Sequence, residues 1–450
     1  MKIKLSFFLI FIFLLLSGCS FDNKTGIWKE HNQKIIEKEQ VIQENKKRIY
    51  TKRDTFDQEI ESKDIITVSK IRKNESWIEN NLSQSNDVGH LEYENNKNSI
   101  FKSKKIGKNR YKIESINPAP LIIDNNIFFS DLSGNIFCYS IDTEKIVWKF
   151  NFYKKKIKNI PIKINLKILS NNLIVSDNLG YLYILDIQTG NLNWAKNFGV
   201  PFRSSIKTEK ENIFLLNQDN KFYIINKKDG EKKTNFETFP SILKSELETS
   251  ISLDQSKNNL FFVTSTGQLY SINYKTNNLN WLINLSMTNK GQSTKFFFSS
   301  PIIFIKDTLY ISTSISTYSI NAINGSINWE LPFSTYVRPA ISENFIILAS
   351  NDGFILNLDI KTGKVLWSKS LFKSSDKLNP KKIGQIKSLL LASNKILVST
   401  SKGFFIFIDY KDGKIFNFTK ASGNGFFSNP VIVNKKIFVV DNKTRILIFD

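Results

Sequence analysis

The stretch Asp186-Ile187-Gln188-Thr189-Gly190-Asn191-Leu192-Asn193-Trp194 decides the fold, because it returns almost intact as Asp359-Ile360-Lys361-Thr362-Gly363-Lys364-Val365-Leu366-Trp367. Its chemistry reads as a strand-ending turn. An Asp at the first position can accept backbone N–H bonds from the residues that follow. A glycine after threonine supplies the positive φ of a tight hairpin. The tryptophan then offers a large flat face to a neighbour. Looser copies end in Trp148, Trp281 and Trp329, and degenerate ones place Thr234 and Asn417 where the tryptophan should stand.

Working outward, each unit is preceded by two apolar runs around a turn. Asn172-Leu173-Ile174-Val175-Ser176 leads through Asp177-Asn178-Leu179-Gly180 into Tyr181-Leu182-Tyr183-Ile184-Leu185. A further strand opens most units, often after proline, as in Pro120-Leu121-Ile122-Ile123, Pro301-Ile302-Ile303-Phe304 and Pro430-Val431-Ile432-Val433. With the tryptophan-bearing run this makes four strands per repeat. The unit anchors fall at Ser140, Asp186, Asn226, Asn273, Asn321, Asp359, Asp409 and Asp450, about 38 to about 50 residues apart. Such a period means a propeller or a comparable repeat array. The expectation is an all-β, eight-bladed β-propeller of four-stranded blades over residues 106–450. The last repeat reaches Asp450 without a tryptophan-bearing outer strand. A strand from the N-terminal side, Asn98-Ser99-Ile100-Phe101 or Arg110-Tyr111-Lys112-Ile113, would close the ring and remove its open edge. Periodic tryptophans (Trp148, Trp194, Trp281, Trp329, Trp367) read as packing between blades, with a ligand-lining role as the alternative.

The N-terminus reads differently. Met1 to Lys4 is basic, Leu5 to Leu16 is apolar, and Leu16-Ser17-Gly18-Cys19 follows. The apolar run is too short for a spanning helix and fits a secretion signal. The four residues ending in Cys19 resemble a lipobox. Residues 1–18 are thus expected to be a lipoprotein signal peptide and Cys19 the lipidated residue, anchoring the chain to a membrane without spanning it. Ser20 after the cysteine, by resemblance to the sorting rule of enteric bacteria, implies the outer membrane facing the periplasm. Residues 19–105 are rich in Lys, Glu, Asn and Gln and read as a polar tether, with Lys34 to Ile42 a candidate short helix.

Composition narrows the chemistry. With Cys19 lipidated only Cys138 remains, so no intrachain disulfide or thiolate cluster is expected. His31 and His90 both precede the repeats, which leaves the repeat region without an imidazole for a zinc site or a Ser/His relay. No catalytic residues, metal or cofactor are expected. The formal net charge of +22 suits a generally solvated basic surface, or attraction to anionic headgroups or an acidic partner. No nucleic-acid motif accompanies it.

Lipobox, repeat count and the Asp-x-x-Thr-Gly-x-x-x-Trp units together resemble the BamB family, lipoproteins of the outer-membrane β-barrel assembly (BAM) machinery. The same repeat occurs in quinoprotein dehydrogenases. Val200-Pro201-Phe202-Arg203-Ser204-Ser205, followed by Asn217-Gln218-Asp219-Asn220, is similar to the family loop that contacts BamA. The resemblance implies a contact through Phe202 and Arg203. Ser245-Glu246-Leu247-Glu248-Thr249-Ser250 is similar to a second BamA-binding segment and implies a role for Glu246 and Glu248. This chain lacks the family's loop glycine, has phenylalanine for leucine and glutamates for aspartates, so ordinary loop residues are the competing reading. The family implies a non-catalytic periplasmic scaffold that docks BamA through its POTRA domains, meets other BAM components and assists unfolded outer-membrane proteins, presenting loops or sheet edges to them. Two alternatives stand beside it. One is a propeller that binds another periplasmic ligand or partner; the other is a quinoprotein dehydrogenase, which would need the adjacent cysteine pair and calcium cage that such enzymes carry.

Overall fold

The computed structural model describes residues 56–62, 64–94, 98–109, 118–153, 157, 160–239, 245, 247–288, 291–292, 297–373 and 378–450. Cys19, the signal peptide, the candidate helix at 34–42, Arg110 to Ile113 and Glu246 lie outside those residues.

Eight antiparallel sheets follow one another along the chain, each running from an innermost to an outermost strand. Blade 1 comprises Leu121–Ile123, Asn126–Ser130, Ile136–Ser140 and Lys145–Phe150. Blade 2 comprises Ile164–Leu169, Asn172–Asp177, Tyr181–Asp186 and Leu192–Asn197. Blades 3, 4 and 5 begin at Lys207, Ile251 and Ile303, and blade 7 at Ile386. Blade 6 comprises Ala340–Ile341, Phe345–Ala349, Phe354–Asp359 and Val365–Ser370. The two middle strands of each blade are buried on both faces, which is why they read as continuous apolar runs rather than alternating ones. The only α-helix among the described residues is the single turn Pro380–Ile383, capped by Asn379.

Blade 8 is built from Val431–Val433, Lys436–Val440 and Ile446–Phe449, and its outer strand is Ser99–Lys102. Phe101 pairs with Ile448 and Lys102 with Leu447. The ring therefore closes through the first of the two candidate strands, joining both ends of the propeller in one sheet.

Each repeat tryptophan locks its blade to the next. The indole N–H groups of Trp148, Trp194, Trp281, Trp329 and Trp367 donate to the carbonyls of Ile187, Lys227, Ala322, Ile360 and Tyr410, at 2.8 to 3.0 Å. The turn glycine of the following blade lies flat on the ring. A Cβ on Gly190 would stand 2.6 Å from Trp148, so the glycine serves that approach as well as its φ of +71°. In the same turn Asp186 Oδ1 accepts from the backbone N–H groups of Gln188 and Thr189 and from the Thr189 hydroxyl.

The region read as a tether departs from that expectation from Phe56 onward, and shows no helix among its described residues. The described residues between Phe56 and Ser69 cross blade 6. Residues 72–91 then travel round the inner wall of the ring. Asn74 Nδ2 donates to Ile432 O of blade 8 at 2.7 Å. Trp77 and Ile122 of blade 1 exchange backbone bonds of 2.7 and 2.8 Å, and Ile168 N of blade 2 donates to Ile78 O at 2.8 Å. Lys207 of blade 3 reaches Ser83 O at 2.7 Å. Leu253 N of blade 4 and Phe304 N of blade 5 donate to Gln84 O and Ser85 O, both at 3.0 Å. Ser69 N donates to Ser342 Oγ at blade 6, and His90–Leu91 pairs in parallel with Leu391–Ala392 of blade 7. The innermost strands would otherwise turn unpaired N–H and C=O groups toward the axis, and this inner hoop satisfies part of them. Its composition is polar because its partners are backbone groups, so composition alone resembles that of a solvated linker.

Candidate functional site

On the face formed by the loops between blades, a funnel of about 530 Å³ opens around the axis. Trp77, Asn80 and Asn81 of the hoop are part of its wall, so the hoop stands within the ring beneath the opening. Lys163, Arg203, Leu247, Glu248 and Arg338 also line it. Arg338 donates to Pro339 O at 3.2 Å and Leu389 O at 3.1 Å, which fixes its guanidinium. Burial pulls its pKa down to about 10 while Asp87 pulls it up, so it remains a cation at neutral pH. Burial raises the Asp87 pKa against the pull of Arg338 and Arg72. Burial also raises that of Glu248 to about 7, with Lys163 opposing. Glu248 is solvent-accessible, yet it sits in a concave wall where much protein surrounds the carboxyl, so water screens part of that shift.

Two segments singled out from the sequence come together at the funnel. Ser204 pairs with Thr249 in a parallel bridge, and Thr249 N donates to Arg203 O at 2.7 Å. Gln218 N donates to Pro201 O at 2.8 Å, and Gln218 Nε2 donates to Ser245 O at 3.3 Å. The 200–205 loop, the 217–220 turn and the 245–250 segment thus form one continuous patch. Arg203 and Glu248 line it. Phe202 does not. Its ring is 3% exposed and packs edge-on against Phe198 at 5.3 Å. Consecutive residues of an extended segment point to opposite sides, so placing Arg203 on the funnel turns Phe202 into the core between blades 2 and 3. The solvent-exposed apolar side chain on the patch is Leu247, 49% exposed. Leu247 lies between the two glutamates of the quoted segment, a position the sequence reading passed over.

Below the funnel lies an ionic cluster that sequence did not suggest. Glu79 of the hoop accepts a 2.8 Å hydrogen bond from Lys207 through Oε2. Its Oε1 lies 3.1 Å from Lys167 Nζ, close enough for an ion pair but outside hydrogen-bond geometry. All three side chains are sealed from solvent. Burial pushes the Glu79 pKa up, but Lys207 and then Lys167 outweigh it and hold the carboxyl below its ordinary value. Both lysines belong to innermost strands, and Lys167 interrupts the apolar run Ile164–Leu169. That interruption is the signal from which a buried counter-ion could have been inferred.

His90 also belongs to the folded body, contrary to the expectation that the histidines stand outside it. Its Nε2 accepts from Asn394 N at 3.0 Å, so Nδ1 carries the proton given to Ser69 O at 2.8 Å. The ring is neutral, and burial lowers its pKa. Cys138 is a buried free thiol whose pKa burial pushes up to about 12, which makes it a poor nucleophile. Among the described residues, no three or more Asp, Glu, His or Cys side chains converge as a metal site. The funnel combines cations and amides with the carboxylate of Glu248. With Glu248 the single carboxylate among the lining residues, beside Lys163, Arg203 and Arg338, the funnel is too poor in anionic oxygens to fit a quinone held by calcium in a carboxylate–amide cage.

A family model described as outer membrane protein assembly factor BamB matches residues 168–369. The chain is 24% identical to an uncharacterized protein of Rickettsia prowazekii, over 70% of this chain and 75% of the other. It is 25% identical to outer membrane protein assembly factor BamB of Taylorella asinigenitalis, over 44% of this chain and 50% of that protein. The crystal structure of BamB from Moraxella catarrhalis superposes with a TM-score of 0.61 at 13% identity, covering 79% of this chain and 99% of that one. A europium-containing methanol dehydrogenase gives 0.63 at 10% identity, covering 82% and 89%. At these identities the two solved structures speak to the fold, which a scaffold and an enzyme share.

Proposed function

Because this chain is a BamB-like propeller built from PQQ-type repeats, we propose that it is a non-catalytic scaffold of outer-membrane protein assembly that docks BamA. The observation carrying this reading is the patch itself. Two segments more than forty positions apart are hydrogen-bonded side by side, with Arg203, Leu247 and Glu248 on one rim. A guanidinium beside an apolar side chain is the usual composition of an interface anchor. The donor set of the funnel supports the non-catalytic reading.

In this reading Cys19 carries the lipid, the propeller faces the periplasm from the outer membrane, and unfolded outer-membrane proteins are its clients. Arg203→Ala is expected to weaken copurification with BamA from native membranes by about 2 kcal/mol or more, with the fold intact. Unchanged copurification under stringent washing would count against the patch. Palmitate labelling that survives Cys19→Ser would count against the anchor.

A further inference from the structure

Blade 6 carries something at its outer edge that the other blades lack among the described residues. Ile60 and Ser368 exchange backbone hydrogen bonds of 3.1 and 3.0 Å, extending that blade by a short fifth strand. Ser368 Oγ donates to Gln58 O at 2.5 Å, and Ser370 N donates to Glu59 Oε1 at 3.0 Å. Lys369 pairs with Glu61 at 2.8 Å and Lys364 with Asp64 at 3.3 Å. Phe56 shares an apolar cluster with Val365, and Ile60 packs against that cluster. The occupant is Phe56-Asp57-Gln58-Glu59-Ile60-Glu61, an acidic segment with spaced apolar residues.

The shared repeat places equivalent residues in register. Ser368 stands opposite Leu356, and in blade 1 the matching position is Lys149, opposite Phe137. Val365 corresponds to Ile146, both two residues before the tryptophan. Val365 is 6% exposed under its cover, whereas Ile146 is 44% and Val147 is 52% exposed. Lys145 and Lys149 flank them on the solvent side. Leu192 and Leu279 hold the same register position in blades 2 and 4 and are also exposed, but only in blade 1 do two apolar side chains stand between two lysines of the edge strand. Lys149 presents its N–H and C=O outward, as Ser368 does. An unpaired edge of this kind is a template for another strand.

We propose that the outer edge of blade 1, Lys145–Phe150, binds an extended acidic segment with spaced apolar residues from another polypeptide, adding it as a fifth strand just as blade 6 adds Gln58 to Glu61. The site is separate from the funnel patch and does not depend on BamA docking.

The test uses the full-length protein and a fluorescent peptide with the sequence of residues 56–64. Saturable binding is expected, weakening as salt rises. Lys149→Pro removes an outward N–H that no neighbour within the blade uses, a substitution edge strands tolerate. It should weaken binding about tenfold, the scale of one hydrogen bond and one charge, with the unfolding midpoint unchanged. Should that variant fold poorly, Lys149→Glu and Val147→Ser provide the same reading through charge and apolar cover. Absence of binding, equal binding of a peptide with lysines in place of its acids, or binding indifferent to all three variants would overturn the proposal. So would binding that responds only to Ser368→Pro, which would show exchange with the segment already on blade 6.

Discussion

Glu79 accepts a 2.8 Å hydrogen bond from Lys207 inside the ring, although one residue lies in a stretch that reads as a linker and the other opens the third blade. With Lys167 at 3.1 Å on the other oxygen, one carboxylate faces two buried ammonium groups. The attraction repays their desolvation only while the carboxylate is present. Glu79→Gln is therefore expected to destabilise the propeller by about 3–5 kcal/mol in urea unfolding, and replacing both lysines by methionine in that background should recover part of the loss. A negligible loss would show that the lysines are otherwise compensated. The Glu79 pKa is lowered in the fold. Its contribution is thus full above the ordinary glutamate value and disappears as pH falls through the lowered one.

His90 sets a second pH dependence. Its folded pKa lies below the ordinary 6.5, because burial opposes charge more than the Ser69 carbonyl favours it. Between the two values the unfolded chain binds the extra proton, so stability rises with pH across that window. The contribution is complete above about pH 6.5 and declines as pH drops below it. Unfolding free energies at pH 7.5 and 5 should differ in the wild type, and the difference should shrink in His90→Gln. An unchanged difference would remove His90 as its source.

What could be read from the sequence was what repeats. Tryptophans such as Trp367, the Asp-Thr-Gly turns and the apolar middle strands recur with a period, and period is visible without coordinates. The closing strand at Ser99–Lys102 was accessible by elimination, since one repeat lacked its outer strand. The hoop was not accessible. Its residues meet seven different inner strands in turn, so Asn74, Trp77, Gln84 and His90 follow no helical or strand periodicity. Asn86 illustrates this. It adopts φ of +60° and donates to Ile251 O at 2.9 Å and Ile302 O at 2.7 Å, two bonds defined only once blades 4 and 5 stand side by side. That Phe202 is largely enclosed was not legible either, because a loop sequence gives no strand to set which neighbour faces inward.

The tryptophan locks should be unequal. Trp367 is fully buried, whereas Trp194 is partly open to solvent. Trp367→Ala should cost about 3–5 kcal/mol, and Trp194→Ala distinctly less, since less surface returns to water. Gly413→Ala tests the other half of the lock. Its Cβ would meet Trp367 at 2.7 Å at a φ of +74°, and a cost of about 1–3 kcal/mol is expected. Equal losses for the two tryptophans would show that burial does not set the strength of the lock.

Phe202 and Leu247 separate folding from docking at the patch. Phe202 is enclosed with Phe198, Ile206 and Tyr223, so Phe202→Ala leaves a cavity and is expected to cost about 3–5 kcal/mol. Leu247 lies half in solvent, and Leu247→Ser should leave the urea midpoint within error because little buried surface is lost. If the patch docks a partner, Leu247→Ser should nevertheless reduce copurification with BamA, since an apolar side chain buried only in the complex contributes only there. The double substitution with Arg203→Ala should fall short of the sum of the two, because neighbouring groups share one partner surface. A Leu247→Ser protein that unfolds early would place this residue in the core, and one that copurifies normally would move the contact elsewhere on the ring.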